Sequence, residues 1–182
     1  MELVNPSIKY KKSFLEALDE YQREEKSDKH FRGEHYDSLK KEELEYNFQA
    51  YVDKVISKAK GQNLPEGYVP ESTYWLVDNN EFIGRVNLRH KLNVNLSRLG
   101  GHIGYDIRPS KRGKGYGRKI LGLALQKAQQ IGLDNVLITC NINNIPSKRV
   151  IEANGGILEN SEKVGDRQPD KLRYWITIDN LK

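Results

Sequence analysis

Between Arg108 and Lys119 the chain carries Arg108, Lys111, Arg112, Lys114, Arg118 and Lys119 with no acidic residue among them, and Gly113, Gly115 and Gly117 alternate with the cations. Glycine lets a backbone pass close to a ligand and take positive φ. The run sits between a strand-like and a helix-like segment, and a helix start offers unpaired N–H groups at the positive end of its dipole. Long cationic side chains around such a start add charge-assisted hydrogen bonds. The chemistry implied is a cradle for a phosphate or pyrophosphate. It is not the Gly-x-x-x-x-Gly-Lys-Ser/Thr loop, and Gly-x-Gly-x-x-Gly does not occur in this register. The plainer alternative is a tight turn in a solvated basic loop.

The charge of the whole chain sharpens that choice. Of a net +5, residues 1–70 hold 12 Lys/Arg against 14 Asp/Glu, leaving 18 against 11 for residues 71–182. Basicity is thus local rather than spread over a face. The cluster holds a single aromatic, Tyr116, which argues against nucleic acid, since single-stranded binders interleave cations with stacking rings. With 182 residues and ten Tyr, two Trp and four Phe, the chain reads as one folded domain with a sizeable core. No apolar run approaches the ~20 residues that span a bilayer, and the start MELVNPSIKYKKS has no signal-peptide apolar region. One cysteine, Cys140, excludes an internal disulfide and fits a reducing cytoplasm, and four scattered His do not make a metal site.

Periodicity supplies the elements that would hold this loop. Ser7 caps a first helix to about Lys26, with Tyr10, Phe14, Ala17, Leu18 and Tyr21 on one side. Ser27 to Ser38 reads as a loop, and Lys40 to Lys60 as a second helix ended by Gly61, with Leu44, Phe48, Tyr51, Val52, Val55 and Ile56 as its stripe. From Ser72 the period becomes two: strands at Thr73–Val77 and Glu81–Arg89 joined at Asp78-Asn79-Asn80, and a third at His102–Arg108 stopped by Pro109. A helix from Tyr116 to Ile131 carries Ile120, Leu121, Ala124, Leu125, Ala128 and Ile131 on one stripe. Asn135–Cys140 is a short apolar run of the buried parallel type, which makes a strand–helix–strand unit. A short helix at Ser147–Ala153 and strands near Ile157–Val164 and Leu172–Ile178 complete an α/β domain with a mixed sheet.

At this point two ordered segments resemble a known family. Ile107-Arg108-Pro109 followed by Arg112-x-x-Gly115-x-Gly117 is similar to the Gln/Arg-x-x-Gly-x-Gly/Ala motif of the GNAT N-acetyltransferases. After the next strand, Asn144-Ile145-Pro146-Ser147 through Glu152-Ala153-Asn154-Gly155-Gly156 resembles that family's Asn-x-x-Ser/Ala…Glu-Lys-x-Gly-Phe segment. The likeness spans about 72–178 by element order and is sharp in 102–156. It implies the GNAT fold, a central twisted mixed sheet flanked by helices, over a single domain 1–182, with 1–60 as variable helices on the acceptor side and 72–178 as the cofactor-binding core.

The resemblance implies acetyl-CoA as co-substrate, no metal, and direct transfer of the acetyl group to an amine of a small molecule or peptide. Arg112, Gly113, Lys114, Gly115, Tyr116 and Gly117 would hold the pyrophosphate, with Lys111, Lys114, Arg118 or Lys148 near the adenosine phosphates and Arg108 also among the cofactor-binding residues. The backbone at Ile107 would pair with the pantetheine arm where the strands ending at Ile107 and Cys140 splay, and Asn144 and Ser147 would lie against it. Ile151 stands where many members carry a tyrosine acid, so Ser147 or water would serve the leaving thiolate. His102 and Asp106, on one strand face, are candidates for the general base against a structural, hydrogen-bonded use. Tyr105, on the other face, reads as core, and Cys140 as a small buried hydrophobe. A non-catalytic acyl-CoA module is the alternative that Ile151 raises, a nucleic-acid binder the weaker one, and a homodimer is left open.

Overall fold

The computed structural model describes residues 1–27, 36, 38–62, 64–165 and 168–178. Its elements, in chain order, are β1 (Glu2–Val4), α1 (Lys11–Ser27), α2 (Lys41–Tyr46), α3 (Phe48–Ser57), β2 (Glu71–Asp78), β3 (Glu81–Arg89), β4 (Ile103–Ile107), α4 (Tyr116–Gln130), β5 (Asn135–Asn141), α5 (Ile145–Glu152), β6 (Ile157–Glu162) and β7 (Lys171–Thr177). The expected loop Ser27–Ser38 and the tip of Gly165–Asp170 fall largely outside the described residues.

The strands form two antiparallel sheets, β1-β2-β3-β4 and β5-β7-β6. Among the described residues the backbone bonds between them fall just before β4, where Gly101 bridges Ile138 and the His102 N–H donates to the Leu137 carbonyl at 2.7 Å. Past those residues β4 and β5 share no ladder, so a wedge opens between them. This corrects the expectation of a parallel pair. Strand, helix and strand follow one another as expected, but the ladder partner of β5 is β7, in antiparallel register from Asn135↔Thr177 to Asn141↔Lys171. An apolar run reports burial on both faces, not strand direction.

Each face carries its own core. On one, α4 lays Ile120, Leu121, Ala124, Leu125 and Ala128 against Ile83, Val86, Ile103, Val136, Ile138 and Tyr174, all fully or nearly fully buried. On the other, α1 and α3 pack Phe14, Leu18, Tyr21, Phe48 and Val52 against Trp75 and Phe82, with Phe14 stacked on Trp75 at 4.9 Å between ring centroids. The amphipathic stripes read from the sequence are therefore the buried ones. Ile131 and Ile56, at the ends of their stripes, are both 39% exposed.

Four local features differ from the sequence expectation. The second helix breaks at Asn47, whose non-helical backbone ends α2 and whose side chain accepts from the Ala50 N–H to cap α3. Ser7 caps a 3-10 turn, Ile8–Tyr10, that leads into α1. The polar stretch before Gly101 holds a π-helical turn, Leu96–Gly100, and the three-residue β1 adds an outer strand to β2. The β2–β3 hairpin does turn on Asn79 and Asn80, both with positive φ (49° and 62°), as two-residue hairpins require.

Candidate active site

The glycine-rich loop lies at the start of α4 and leaves it open. Gly115 is the N-cap with φ 82°, no side chain caps the helix, and its first turn holds no acid. The first intrahelical bond runs from the Lys119 N–H to the Gly115 carbonyl, so the amides of Tyr116, Gly117 and Arg118 precede it and lack an intrahelical partner. Gly113 also has positive φ, and a Cβ on Gly113 or Gly115 would meet nothing within 4 Å. Gly117 serves packing instead, since a Cβ there would come 2.9 Å from Val150 Cγ2, and its absence lets α4 approach α5. Open backbone donors, a dipole end and nearby cations fit a pyrophosphate group.

The cations themselves divide. Arg108 has an almost fully buried side chain that pairs with Glu20 at 2.7 Å and Glu81 at 3.1 Å. Lys111 pairs with Glu81 at 2.6 Å and Arg112 with Glu24. Glu16, Glu20 and Glu24 recur every fourth residue along α1, and this acidic ridge receives the guanidiniums of Arg108 and Arg112. Burial alone would raise the Glu20 carboxyl, but the hydrogen bonds from Arg108 and the Ser110 amide outweigh it and hold the group below its ordinary value. The Lys114 ammonium donates to the Ser110 carbonyl at 3.0 Å. Lys114, Arg118, Lys119 and Lys148 make no salt bridge among the described residues and are the charges left to meet phosphates. The basic cluster, a single feature in the sequence, is therefore two: a buried brace to α1 and an open fringe around the cradle.

Along β4 the register decides which backbone faces the wedge. The Arg89 N–H donates to the His102 carbonyl and the Arg108 N–H to the Ile83 carbonyl, so His102, Gly104, Asp106 and Arg108 bond to β3. The backbone groups of Tyr105 and Ile107 consequently point to the open side. The Ile107 carbonyl accepts from Arg112 Nε at 3.0 Å, which leaves its N–H as the group directed at a ligand in the wedge.

The structure gives the two base candidates other partners and does not bring them together with Ser147. His102 Nδ1 accepts from the Leu137 N–H at 3.0 Å. In the neutral ring the proton is then on Nε2, and the edge of the imidazole faces Trp175. Burial first, then the charge of Arg89, lowers its pKa. Asp106 turns to the α1 face, where Oδ1 accepts from Tyr21 at 2.6 Å and Tyr36 at 2.9 Å and Oδ2 pairs with Arg85 at 3.3 Å. Burial pushes both phenols well above their ordinary value, so they stay donors.

Ser147 lies in the first turn of α5 and faces the wedge. Its N–H donates to Asn144 Oδ1 at 3.0 Å, which makes Asn144 the helix cap and leaves its amide NH2 outward. Ser147 Oγ lies 3.1 Å from the hydroxyl of Tyr105, a residue whose strand face reads as core in the sequence. Ile151, one turn on, is fully buried. Cys140 is buried, and burial pushes its thiol up, in keeping with the reading of a buried hydrophobe. Tyr116 stands beside the cradle and donates to Asp78 at 3.1 Å.

Several solved structures share this fold. The RimL ribosomal L7/L12 α-N-protein acetyltransferase in complex with coenzyme A superposes with a TM-score of 0.70 at 18% identity, covering 97% of this chain and 93% of that one. The microcin C7 self-immunity acetyltransferase MccE, in complex with acetyl-CoA and AMP, gives 0.68 at 13% identity over 96% and 91%. A chimera of the Vibrio cholerae spermidine N-acetyltransferase SpeG gives 0.62 at 17% identity over 98% and 96%. No curated protein matches the chain significantly. The family model for the acetyltransferase (GNAT) domain matches residues 17–157. The chain belongs to the GNAT acetyltransferase family, and its activity is transfer of an acetyl group from acetyl-CoA to an amine.

Proposed function

We propose that this chain acetylates an amine of a small molecule or a peptide by direct transfer, in a site formed by the β4–β5 wedge and the open start of α4. In this reading the pyrophosphate lies on the amides of Gly113 to Gly117, with Lys114, Arg118 and Lys148 nearest the phosphates and Arg108, Lys111 and Arg112 bracing the loop through Glu20, Glu24 and Glu81. The pantetheine arm runs down the wedge past the Ile107 N–H and the Asn144 amide, and the thioester sulfur sits near Ser147. The amine arrives from the side of α1–α3, attacks the thioester carbon in its neutral form, and gives its proton to solvent. The oxyanion that forms takes hydrogen bonds from backbone N–H groups of β4.

The observation that carries this reading is the wedge itself: two strands whose backbone bonds, among the described residues, fall at Gly101–His102 and Leu137–Ile138, with a helix start that no side chain caps nearby. The acceptor class is supported by relatives of the same fold, named for acetylating a ribosomal protein at its α-amino group and spermidine. The reading takes residues 1–182 as one domain in the cytoplasm. It also includes a homodimer through the outer strand β6, whose Ile157 and Leu158 are 76% and 49% exposed. Among the described residues no helix is long and apolar enough to cross a membrane.

Calorimetric titration with acetyl-CoA tests the site: binding at micromolar levels is expected. Against Gly115→Ala, which carries the same strain at a φ of 82° without a charge, Gly115→Glu puts a carboxylate into the cradle and should abolish binding. Undiminished binding by that variant sinks the cradle. The buried Ile151 favours one second reading, an acyl-CoA module without catalysis. A thiol-release assay over small amines, aminoglycosides and peptides separates the two, since only the transferase releases CoA at an amine-dependent rate.

A further inference from the structure

The wedge is crossed by a side-chain hydrogen bond that joins elements 42 residues apart. Tyr105 stands in the middle of β4, past the backbone bonds that tie Gly101 and His102 to β5, and its Oη lies 3.1 Å from Ser147 Oγ on α5. On α5 the residue one turn after Ser147 is Ile151, fully buried. It packs so closely that a Cβ on Gly156 would come 2.4 Å from its Cγ2. A hydroxyl at position 151 would lie in the core, so α5 cannot present a phenol to the wedge from there. The phenol comes from β4 instead.

Either hydroxyl of the Tyr105–Ser147 pair has a hydrogen to give. Burial pushes the Tyr105 phenol up to about 12, so it keeps its proton throughout the physiological range and can donate. A serine hydroxyl has one hydrogen and two acceptor lone pairs. When Ser147 Oγ accepts from Tyr105, its own hydrogen is left for the wedge, where a ligand sulfur would compete for it with the neighbouring Cys140 thiol. The Ser147 N–H, bonded to Asn144 Oδ1 at 3.0 Å, fixes the backbone from which that hydroxyl projects.

We propose that Tyr105 is a positioning residue: it donates to Ser147 Oγ and so aims the Ser147 hydroxyl hydrogen at the sulfur of the CoA leaving group. This deepens the reading of acetyl transfer in the wedge and rests on it. In the reaction the amine lone pair forms the N–C bond, the C–S bond breaks with its electron pair going to sulfur, and the nitrogen proton passes to solvent. The hydroxyl pair supplies a hydrogen bond to the thiolate, not a proton, because a phenol at about 12 is a much weaker acid than a thiol of ~8.5. The thiolate then takes its proton from water.

The test reads the sulfur directly and needs no knowledge of the acceptor. CoA bound to the wild-type chain is titrated by the ultraviolet absorbance of its thiolate, alongside Tyr105→Phe, Ser147→Ala, the double variant and Ser147→Thr. The expected result is a bound-thiol pKa about one unit higher in Tyr105→Phe and in Ser147→Ala than in the wild type, corresponding to roughly tenfold weaker thiolate stabilisation. The double variant should go no higher, and Ser147→Thr, which keeps a hydroxyl, should stay near the wild type. With an amine that supports turnover, kcat of Tyr105→Phe falls while KM for acetyl-CoA holds. An unchanged thiol pKa in Tyr105→Phe and Ser147→Ala, with CoA still bound, overturns the inference. A wild-type chain that fails to bind CoA overturns the wedge reading itself, and this inference with it. Should Tyr105→Phe not fold, Ser147→Ala against Ser147→Thr decides the same question.

Discussion

Arg108 grips one oxygen of Glu20 with two nitrogens, Nε at 2.8 Å and Nη2 at 2.7 Å, while the other Glu20 oxygen accepts the Ser110 N–H at 3.0 Å. A residue of α1 thus holds the two ends of the turn that leads from β4 into the glycine-rich loop. Two functions share one run of positive charge. The cations nearer β4 join the helices of the N-terminal part to the cofactor loop, and those nearer α4 stay open to phosphate.

The division has separable consequences on mutation. Arg108→Ala leaves Glu20 and Glu81 facing each other with their common partner gone. Breaking one side of a buried pair costs on the order of 3 kcal/mol, which urea denaturation should register as a lower midpoint at an unchanged slope. Lys114→Ala and Arg118→Ala, whose ammonium and guanidinium make no salt bridge among the described residues, should leave that midpoint within experimental error. Each should instead weaken CoA binding by roughly two- to fivefold, the range of an exposed charge contact, and the loss should shrink at high salt. The opposite pattern, with Arg108→Ala stable but blind to CoA, would place Arg108 on the phosphates.

What the sequence makes legible is what local chemistry determines. The α4 stripe, the Asn79-Asn80 turn and the glycines at the helix start depend on neighbours a few residues away, and each lies where its pattern puts it. The pairings that define the site do not. Arg108 meets Glu20 across 88 residues, and Tyr105 meets Ser147 across 42. Position on a strand face says only that Tyr105 opposes Asp106, not that α5 brings a hydroxyl to it. Likewise the break at Asn47 lies inside an unbroken apolar stripe, and only the bond from the Ala50 N–H marks it. The direction of β5 is not legible either, because burial on both faces looks the same in either register.

His102 carries a pH signature of the stitch between the two sheets. Its folded pKa is lowered, first by burial and then by the charge of Arg89, and its Nδ1 must be unprotonated to accept from Leu137. The unfolded chain binds a proton near pH ~6.5 that the folded chain refuses. Its contribution to stability is therefore fully present above that pH and is lost as the pH falls from there through the lower folded value. His102→Asn keeps an acceptor near the position of Nδ1 and removes the titration. Its melting temperature should fall less between pH 7 and pH 5 than that of the wild type. His90, whose pKa burial also lowers, keeps its own share of the acid slope. Parallel curves for the two proteins would mean that His102 does not stay neutral in the fold.

Asp106 presents the sharpest choice between chemistry and architecture. Its carboxylate takes two phenols on one oxygen and Arg85 on the other, the two phenol rings stack at 3.9 Å, and the Arg85 guanidinium lies 4.7 Å over Tyr36. A general base needs a lone pair aimed at the incoming amine, and here the bonds point toward α1 and Tyr36. Asp106→Asn removes the charge facing Arg85 and sets an amide where the carboxylate accepted, so stability should drop by about 3 kcal/mol. A gentler variant keeps the question answerable if that protein fails to fold. Tyr36→Phe deletes one donor to Oδ1 and should cost about 1 kcal/mol, with kcat unaltered and CoA bound as tightly as before. If Asp106→Asn folds with wild-type stability yet turns over a hundredfold more slowly, the carboxylate is the base and the network around it serves to tune it.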